Sequence, residues 1–466
     1  MKMIGKWLSL SSGTIMDKAK IAIRADGNAK IGLGHIHRTL ALASYLKNTF
    51  EIKYYSVGVD DLVRGLIKSN GFDLVNLKGS EAFIQEISKT DIVVLDGYNF
   101  KTDYQKALKV NGNKIIAIDD LNEWENVADV VINHGYSGKE YKLGASSKLY
   151  SGLQYAIIKP EVLKAANTVE KTSTKRVLVC IGGTDPEGYS GKIITSLLKE
   201  TNKQISLLTY PLNPTFKSLE KLASEKADRL KLFHSLDTKA LINLIQNNDI
   251  AILQPSNIAL EAMALGIHIS LIQTAENQKY ILETLIGNSC AVKLDANQIG
   301  KSINSITTEQ INGQIKNQSK LLDGKSPDRI LDIVNSLLLE FRKVNEKDIK
   351  LIYDWNNDPV TRANSHNQAK IEYADHEKWF AGRMKDDKLD FLIFFYNDAP
   401  CGSVRILRGE TENVIGIAIA PEFRGKKLAG LILNRAGDYF YEKHGRKEIT
   451  AYIAFNTKIS LKIYMT

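Results

Sequence analysis

The sequence predicts an α/β chain with two alternating strand–helix series in tandem, followed by a shorter α+β segment. Three observations carry this reading. From Ile21 to about Pro160, short apolar runs alternate with stretches of helical period, as in a parallel sheet covered by helices on both faces. A second series of the same kind begins at Arg176, after the polar connection Lys159–Arg176. Beyond Phe341 the pattern changes to runs that read as antiparallel strands. At 466 residues the chain is too long for one ordinary core. The expected divisions are an extension over 1–17, Rossmann-like halves over 18–160 and 161–340, and a third domain over 345–466.

Composition bounds the class. Hydrophobic residues make up 44% of the chain and charged residues 25%, ordinary values for a globular protein. The three cysteines, Cys180, Cys290 and Cys401, are far apart and lie in apolar runs, so they form neither a disulfide framework nor a metal ligand set. No metal is expected. The formal charge of +9 is scattered, without a basic stripe interleaved with aromatics, which favours anionic small molecules over nucleic acid. No apolar run approaches the ~18 residues of a membrane span. Residues 1–17 have a polar, serine-rich middle unlike a signal peptide, and Met16-Asp17-Lys18 would make a natural start. A cytoplasmic setting is expected.

In the first series, strands read at 20–26, 52–57, 91–96, 114–118 and 130–133, with helices including Asp60–Ser69 and Tyr104–Val110. Functional groups then belong at the carboxyl ends of the strands. Arg24 and Asp26, Asp96 and Tyr98, and Asp120 all fall there. The loop after the first strand carries Gly32 and Gly34, which lack the side chains that would keep a ligand from the backbone amides. His35 follows at the start of the helix that ends near Leu46, and is the candidate catalytic group.

In the second series, strands read at 176–181, 204–209, 230–233, 249–253 and 268–272. Gly182-Gly183-Thr184 follows a strand, where free N–H groups and a hydroxyl can meet an anion. Further on, Ser256 and Asn257 open a helix whose first turn suits a diphosphate, and Glu261 lies where a carboxylate can accept from ribose hydroxyls. Asn277 and Gln278 follow another strand and face the same cleft. Helices are expected at Ile303–Ile306, Ile311–Leu322 and Arg329–Phe341.

In the last segment Lys347–Ile349 opens a helix, and strands are expected at Asp390–Tyr396, Gly402–Leu407 and Asn413–Ile419. Arg424-Gly425-Lys426-Lys427-Leu428-Ala429 then leads into the apolar helix Gly430–Tyr441. A basic glycine-bearing loop between a strand and a helix can wrap a pyrophosphate, with the amides of 425–430 and the Arg424 guanidinium as donors.

Several motifs in order, RADGNAKIGLGHIHR, LDGY, IDD, GLQYAIIKPE, CIGGTDP, QPSNIALEAMALG and AENQ, resemble the UDP-sugar hydrolases of pseudaminic acid biosynthesis over about residues 18–340. Those enzymes act on UDP-2,4-diacetamido-2,4,6-trideoxy-β-L-altropyranose. The resemblance implies a GT-B fold, UDP bound by the second half, His35 as the base that activates water, and UDP and the free sugar as products. Where that family has Gly-Gly-Ser-Thr, this chain has Gln254-Pro255-Ser256-Asn257. Two other readings stay open: a GT-B glycosyltransferase, and a non-catalytic UDP-sugar binding module. Residues 345–466 resemble GNAT acetyltransferases through the Arg424–Ala429 loop, with Lys427 at a position where the pattern has glycine. DWNNDPVTRANS with His376 and Trp379 resembles the subgroup that N-acetylates the UDP-linked 4-amino sugar just before the hydrolase step. The resemblance implies acetyl-CoA as cofactor, Asn456 as a cofactor contact and Tyr464 as the acid that protonates the CoA thiolate. The chain ends two residues after Tyr464, so this domain is expected to be incomplete.

Overall fold

The structure is a computed structural model that describes residues 18–28, 32–135, 138, 140–166, 170–182, 185–365 and 367–452. The chain divides into two compact units at Leu331/Asp332, within the helix Ser326–Leu337.

The first unit holds two parallel sheets. One comprises, among the described residues, β1 (Lys20–Ala25), β2 (Glu51–Val57), β3 (Asp73–Leu77), β4 (Ile92–Asp96), β5 (Lys114–Ile118), β6 (Val130–Asn133) and β7 (Lys148–Ser151), in the order β3-β2-β1-β4-β5-β6-β7. The other comprises β8 (Arg176–Cys180), β9 (Gln204–Leu208), β10 (Leu230–Phe233), β11 (Ile250–Leu253), β12 (His268–Leu271) and β13 (Val292–Lys293), in the order β10-β9-β8-β11-β12-β13. Both are the doubly wound Rossmann order, so this unit has the tandem plan of a GT-B-like fold. Strand order reverses between β1 and β4 in the first sheet and between β8 and β11 in the second. The crevice at each reversal is where such sheets bind ligands.

Burial explains why the strands read as continuous apolar runs. Val177, Val179, Ile250 and Ile252 point into one core and Leu178, Cys180, Ala251 and Leu253 into another on the opposite face. A strand covered on both sides needs apolar residues at every position. Each fully buried Leu, Ile or Val contributes roughly 1.5–3 kcal/mol, so these two layers are a large stabilising term for this sheet.

The second unit is a sheet of β14 (Leu339–Lys343), β15 (Leu389–Tyr396), β16 (Ala399–Arg408), β17 (Asn413–Ile419) and β18 (Ile449–Ala451), among the described residues. Pairing is antiparallel from β14 to β17 and parallel between β17 and β18. The helix Leu428–His444 buries Ile432, Ala436 and Phe440, four residues apart on one face. Its last turn is anchored by Lys443 and His444, which donate to the buried Asp390 carboxylate at 2.5 and 2.7 Å. Cations suit a helix C-terminus.

Some boundaries differ from expectation. The helix expected over Arg329–Phe341 ends at Leu337, and Leu339–Lys343 is instead strand β14, with Leu339 opposite Tyr396. The apolar stripe of Ile330, Ile333 and Val334 has helical spacing, whereas Leu339 and Phe341 alternate with Glu340 and Arg342, a period-two signal satisfied by pairing with β15. The helix expected at Ile303–Ile306 spans Ile299–Asn304. Strands β3, β7 and β13 were not anticipated; they are short, lie at sheet edges and keep exposed or half-exposed positions. Among the described residues no helix is long and apolar enough to cross a membrane.

Candidate functional site

The first switch point assembles a cluster of charges around the fully buried Asp96. His35 lies in the opening turn of the helix Gly34–Leu46, which follows β1, and Asp96 is the last residue of β4 beside it. The His35 Nδ1 lies 2.7 Å from Asp96 Oδ1. A carboxylate only accepts, so Nδ1 donates and Nε2 carries the lone pair. The His35 side chain keeps 14% of its surface exposed, against none for Asp96. Gly32, with φ +84°, turns the loop into this helix through its N–H to the Asn28 carbonyl at 2.9 Å. That backbone conformation favours glycine. Among the described residues, a Cβ at Gly32 or Gly34 would meet nothing within 4 Å.

Arg38 lies one turn beyond His35 and ties the cluster together. Its Nε and Nη2 donate to Asp96 at 2.8 and 2.6 Å, and its Nη1 and Nη2 donate to Asp120 at 2.7 and 2.8 Å. Burial by itself would raise the Asp96 pKa, but Arg38 and then His35 more than offset it and hold the carboxyl well below its usual range. The same balance, won by Arg38, lowers Asp120. In turn the two carboxylates outweigh burial and push Arg38 further above its usual value. The charges of Asp96, Asp120 and Arg38 sum to a formal −1 beside the His35 ring. His134, just after β6, is fully buried, has no hydrogen-bond partner on either ring nitrogen among the described residues, and its pKa is lowered to about 4 by burial and then by Arg38.

Tyr98 stands over His35, their rings edge-on at 4.8 Å, and burial raises its hydroxyl to about 12. Its oxygen accepts from Asn277 Nδ2 at 2.5 Å, which brings the loop after β4 against the short 3₁₀ turn Glu276–Gln278 that follows β12. The cleft between the two sheets therefore has residues of both halves in contact. A cavity of about 290 Å³ opens beside it, lined by Asp120, Asn122, Lys142, Glu276, Lys279 and Tyr280.

Arg24 and Asp26 form a separate buried pair. The Arg24 guanidinium donates to Asp26 at 2.5 Å and lies 4.9 Å from the Phe100 ring centre, and Asp26 also accepts from the Val57 N–H at 2.7 Å. Arg24 is therefore committed to bracing the end of β1, and Asp26 keeps partial exposure.

At the second switch point Gly182 follows β8 with φ +70°, and an added Cβ would lie 2.7 Å from the Gln254 amide nitrogen. Gln254 Oε1 accepts from Thr274 at 3.1 Å and Gln278 at 3.3 Å, so Gln278 braces this loop from within. Gly183 and Thr184 lie outside the described residues. Ser256 stands at the N-cap of the helix Asn257–Ala264, and its hydroxyl makes no capping bond there. Glu261 is buried in that helix, with Lys159 at 3.6 Å. Burial raises its pKa and Lys159 only partly offsets this.

In the second unit, the loop from Ala420 reaches the helix Leu428–His444 through left-handed residues Gly425 (φ +75°) and Lys427 (φ +59°). Lys427 thus adopts a conformation that favours glycine. The first-turn N–H groups of that helix, which includes Leu428 and Ala429, form a natural site for a diphosphate. The Arg424 guanidinium instead binds Asp358 at 2.6 Å and Thr361 at 2.9 Å, and the Lys426 ammonium lies 4.7 Å from the Phe423 ring centre. Asn456 and Tyr464 lie outside the described residues.

Sequence reasoning singled out His35, Asp96 and Asp120, which the fold brings together, but passed over Arg38 and His134. Arg38 was detectable: it is three residues from His35, on the same helical face, within an otherwise apolar pattern. His134 gave no comparable signal.

Comparison with known proteins adds to this geometry. Residues 339–466 match the family described as the Acetyltransferase (GNAT) domain. The chain is 25% identical to the uncharacterized protein MJ1062 of Methanocaldococcus jannaschii, over 96% of this chain and 95% of that protein. It is 27% identical to the UDP-2,4-diacetamido-2,4,6-trideoxy-beta-L-altropyranose hydrolase of Campylobacter jejuni, over 56% of this chain and 93% of that enzyme. Among solved structures, MurG of Acinetobacter baumannii aligns with a TM-score of 0.49 at 11% identity, over 68% of this chain and 99% of that one. The chain is thus related to sugar-nucleotide-processing enzymes and carries a GNAT acetyltransferase domain.

Proposed function

We propose that the first unit hydrolyses UDP-2,4-diacetamido-2,4,6-trideoxy-β-L-altropyranose to UDP and the free diacetamido sugar. The observation that carries this reading is the His35–Asp96 pair at the first switch point, held by Arg38 so that Nε2 is the basic nitrogen. The similarity to the Campylobacter jejuni hydrolase supports the choice of substrate. Water attacks the anomeric carbon, its proton goes to His35 Nε2, and the bond from the anomeric carbon to the phosphate oxygen breaks with its electron pair leaving on UDP. Asp96 stabilises the imidazolium that forms, as the carboxylate of an Asp–His pair does. In this reading the second half holds UDP: the backbone around Gly182 and the helix start at Ser256 and Asn257 meet the diphosphate, and Glu261 accepts from the ribose. On the same reading Tyr98, Asp26 and Asn277 would touch the sugar.

The second unit, on this proposal, transfers acetyl from acetyl-CoA to the 4-amino group of the UDP-linked sugar that precedes the hydrolase substrate. The loop amides from Gly425 to Ala429 would hold the cofactor's diphosphate, Arg424 bracing the loop through Asp358, with Asn456 and Tyr464 in the roles their motif implies. Acetyl-CoA supplies the activated acyl group. Both reactions concern soluble small molecules, and a cytoplasmic setting belongs to the same proposal.

The deciding experiment is UDP release from the UDP-diacetamido sugar with no acceptor, comparing the parent with His35→Asn. We expect release by the parent and a loss of ~10²-fold or more in the variant, the scale of general base catalysis. A protein that binds UDP but releases none without an acceptor alcohol would instead be a glycosyltransferase using the same base. Binding without turnover under either condition would leave a UDP-sugar binding module.

A further inference from the structure

The second unit contains a cation that no acidic side chain neutralises among the described residues. Arg405 sits in the middle of β16, opposite Phe391 on β15 and Gly416 on β17. Its guanidinium lies 5.3 Å from the Trp379 ring centre, and Trp379 packs edge-on against Phe391 with ring centres 6.3 Å apart. The side chain therefore lies between the sheet and the helix Tyr373–Met384, partly buried and held against an indole face.

The other partly buried arginines of this unit are engaged: Arg424 binds Asp358, Arg383 binds Asp386 at 3.3 Å, Arg408 lies 4.0 Å from Asp390, and Arg362 donates to three backbone carbonyls and Ser365. The exposed Arg342 binds Asp348. Arg405 donates no hydrogen bond among the described residues. Burial and then the charge of Arg383 both pull its pKa down, with no acidic side chain opposing them. Gly416, directly across the strand pair, leaves space beside the guanidinium among the described residues: a Cβ there would touch nothing nearer than Arg405 Nη2, at 3.8 Å. Partly buried, unneutralised, stacked and accessible on one side, this fork has the character of a site for a phosphate or carboxylate.

We propose that Arg405, stacked on Trp379 and flanked by Arg383 and Gly416, binds the diphosphate of a nucleotide-linked amine acceptor. This rests on reading the second unit as an acetyltransferase. The cofactor's own diphosphate has a separate place, in the loop that starts beyond Ile419. That residue lies three positions past Gly416 along β17, about 10 Å at the rise of an extended chain. The acceptor is thereby selected as an anion, and a neutral free amino sugar is a poor substrate.

The test uses the full chain. Titration calorimetry with UDP should show two equivalents bound by the parent and one by Arg405→Ala, whereas CoA affinity should stay within about 2-fold. In acetyl transfer, Arg405→Ala should raise KM for the UDP-linked 4-amino sugar about 10- to 100-fold, the loss of charge-assisted hydrogen bonds, and leave the slow reaction of the free amino sugar unchanged. Arg405→Lys, which keeps the charge and loses the fork, should fall between, and it serves as the test if the alanine variant does not fold. Unchanged UDP stoichiometry and KM in these variants overturn the subsite. So does a loss of CoA binding in place of UDP binding by a folded variant, which would assign Arg405 to the cofactor. A second UDP equivalent that Arg405→Ala removes, in a protein that acetylates no amine, refutes the acetyltransferase reading and keeps the subsite.

Discussion

Replacing Asp96 by asparagine changes one buried charge and almost no volume, so it isolates the electrostatic part of the proposed mechanism. In the parent, Asp96 Oδ1 accepts from both His35 and Arg38, and Oδ2 accepts from Arg38 Nε. An asparagine has one acceptor oxygen, and Arg38 claims it. The amide NH₂ then faces His35 Nδ1, which must accept, and the ring proton moves to Nε2, the atom that should take the proton from water. The variant also removes the carboxylate that would stabilise the imidazolium formed during the reaction. The same change in the Asp–His pair of a serine protease costs about 10⁴ in rate, so we expect kcat for UDP release to fall ~10²–10⁴-fold. Stability should fall much less. Arg38 keeps both hydrogen bonds to Asp120, so no charge is left buried and alone, and the loss should be about 1–3 kcal/mol. The assay is UDP release at neutral pH, with urea unfolding of the same protein as the control. A folded Asp96→Asn variant that keeps activity within about 3-fold of the parent would refute the assignment of the pair.

Two further predictions concern stability and binding. Burial lowers the pKa of both His134 and His268 to about 4, and neither ring has a hydrogen-bond partner among the described residues. The unfolded chain takes up protons near pH 6.5 and the folded chain does not, so each ring contributes nothing above that pH and costs stability as pH falls from 6.5 to 4, up to about 3 kcal/mol. Urea midpoints from pH 7.5 to 4.5 should fall in the parent and fall less in His268→Leu, which should also be more stable at pH 7.5; a flat parent profile would contradict this. Gly182→Ala should weaken UDP binding about 10-fold, because the methyl strains a positive φ and displaces the Gln254 amide. Gly188→Ala, at φ +64° with open space around it, carries the same strain without the displacement and should leave UDP affinity unchanged, as calorimetry would show.

The residues themselves determined the alternation of strands and helices, because a strand covered on both faces must be apolar throughout and a helix on its flank must be apolar on one side. β1, β4, β8 and β11 were legible for that reason, and with them the strand ends where His35, Asp96, Asp120 and Gly182 lie. Edge strands such as Asp73–Leu77 and Val292–Lys293 were not, since half-exposed residues carry no such constraint and pairing alone makes them strands. The turn from helix to strand at Leu338 was likewise decided by the partner strand β15. Side-chain commitments belong wholly to the tertiary structure. The sequence reading singled out Arg24 and Arg424 beside loops of chemical interest and left Arg38 and Arg405 unmarked. Only the packed chain decides that Arg24 and Arg424 are spent on neighbouring carboxylates, that Arg38 joins two strand ends distant in sequence, and that Arg405 is left without an acid. Charge compensation depends on distances of a few ångströms between residues dozens of positions apart, and those distances are set by folding.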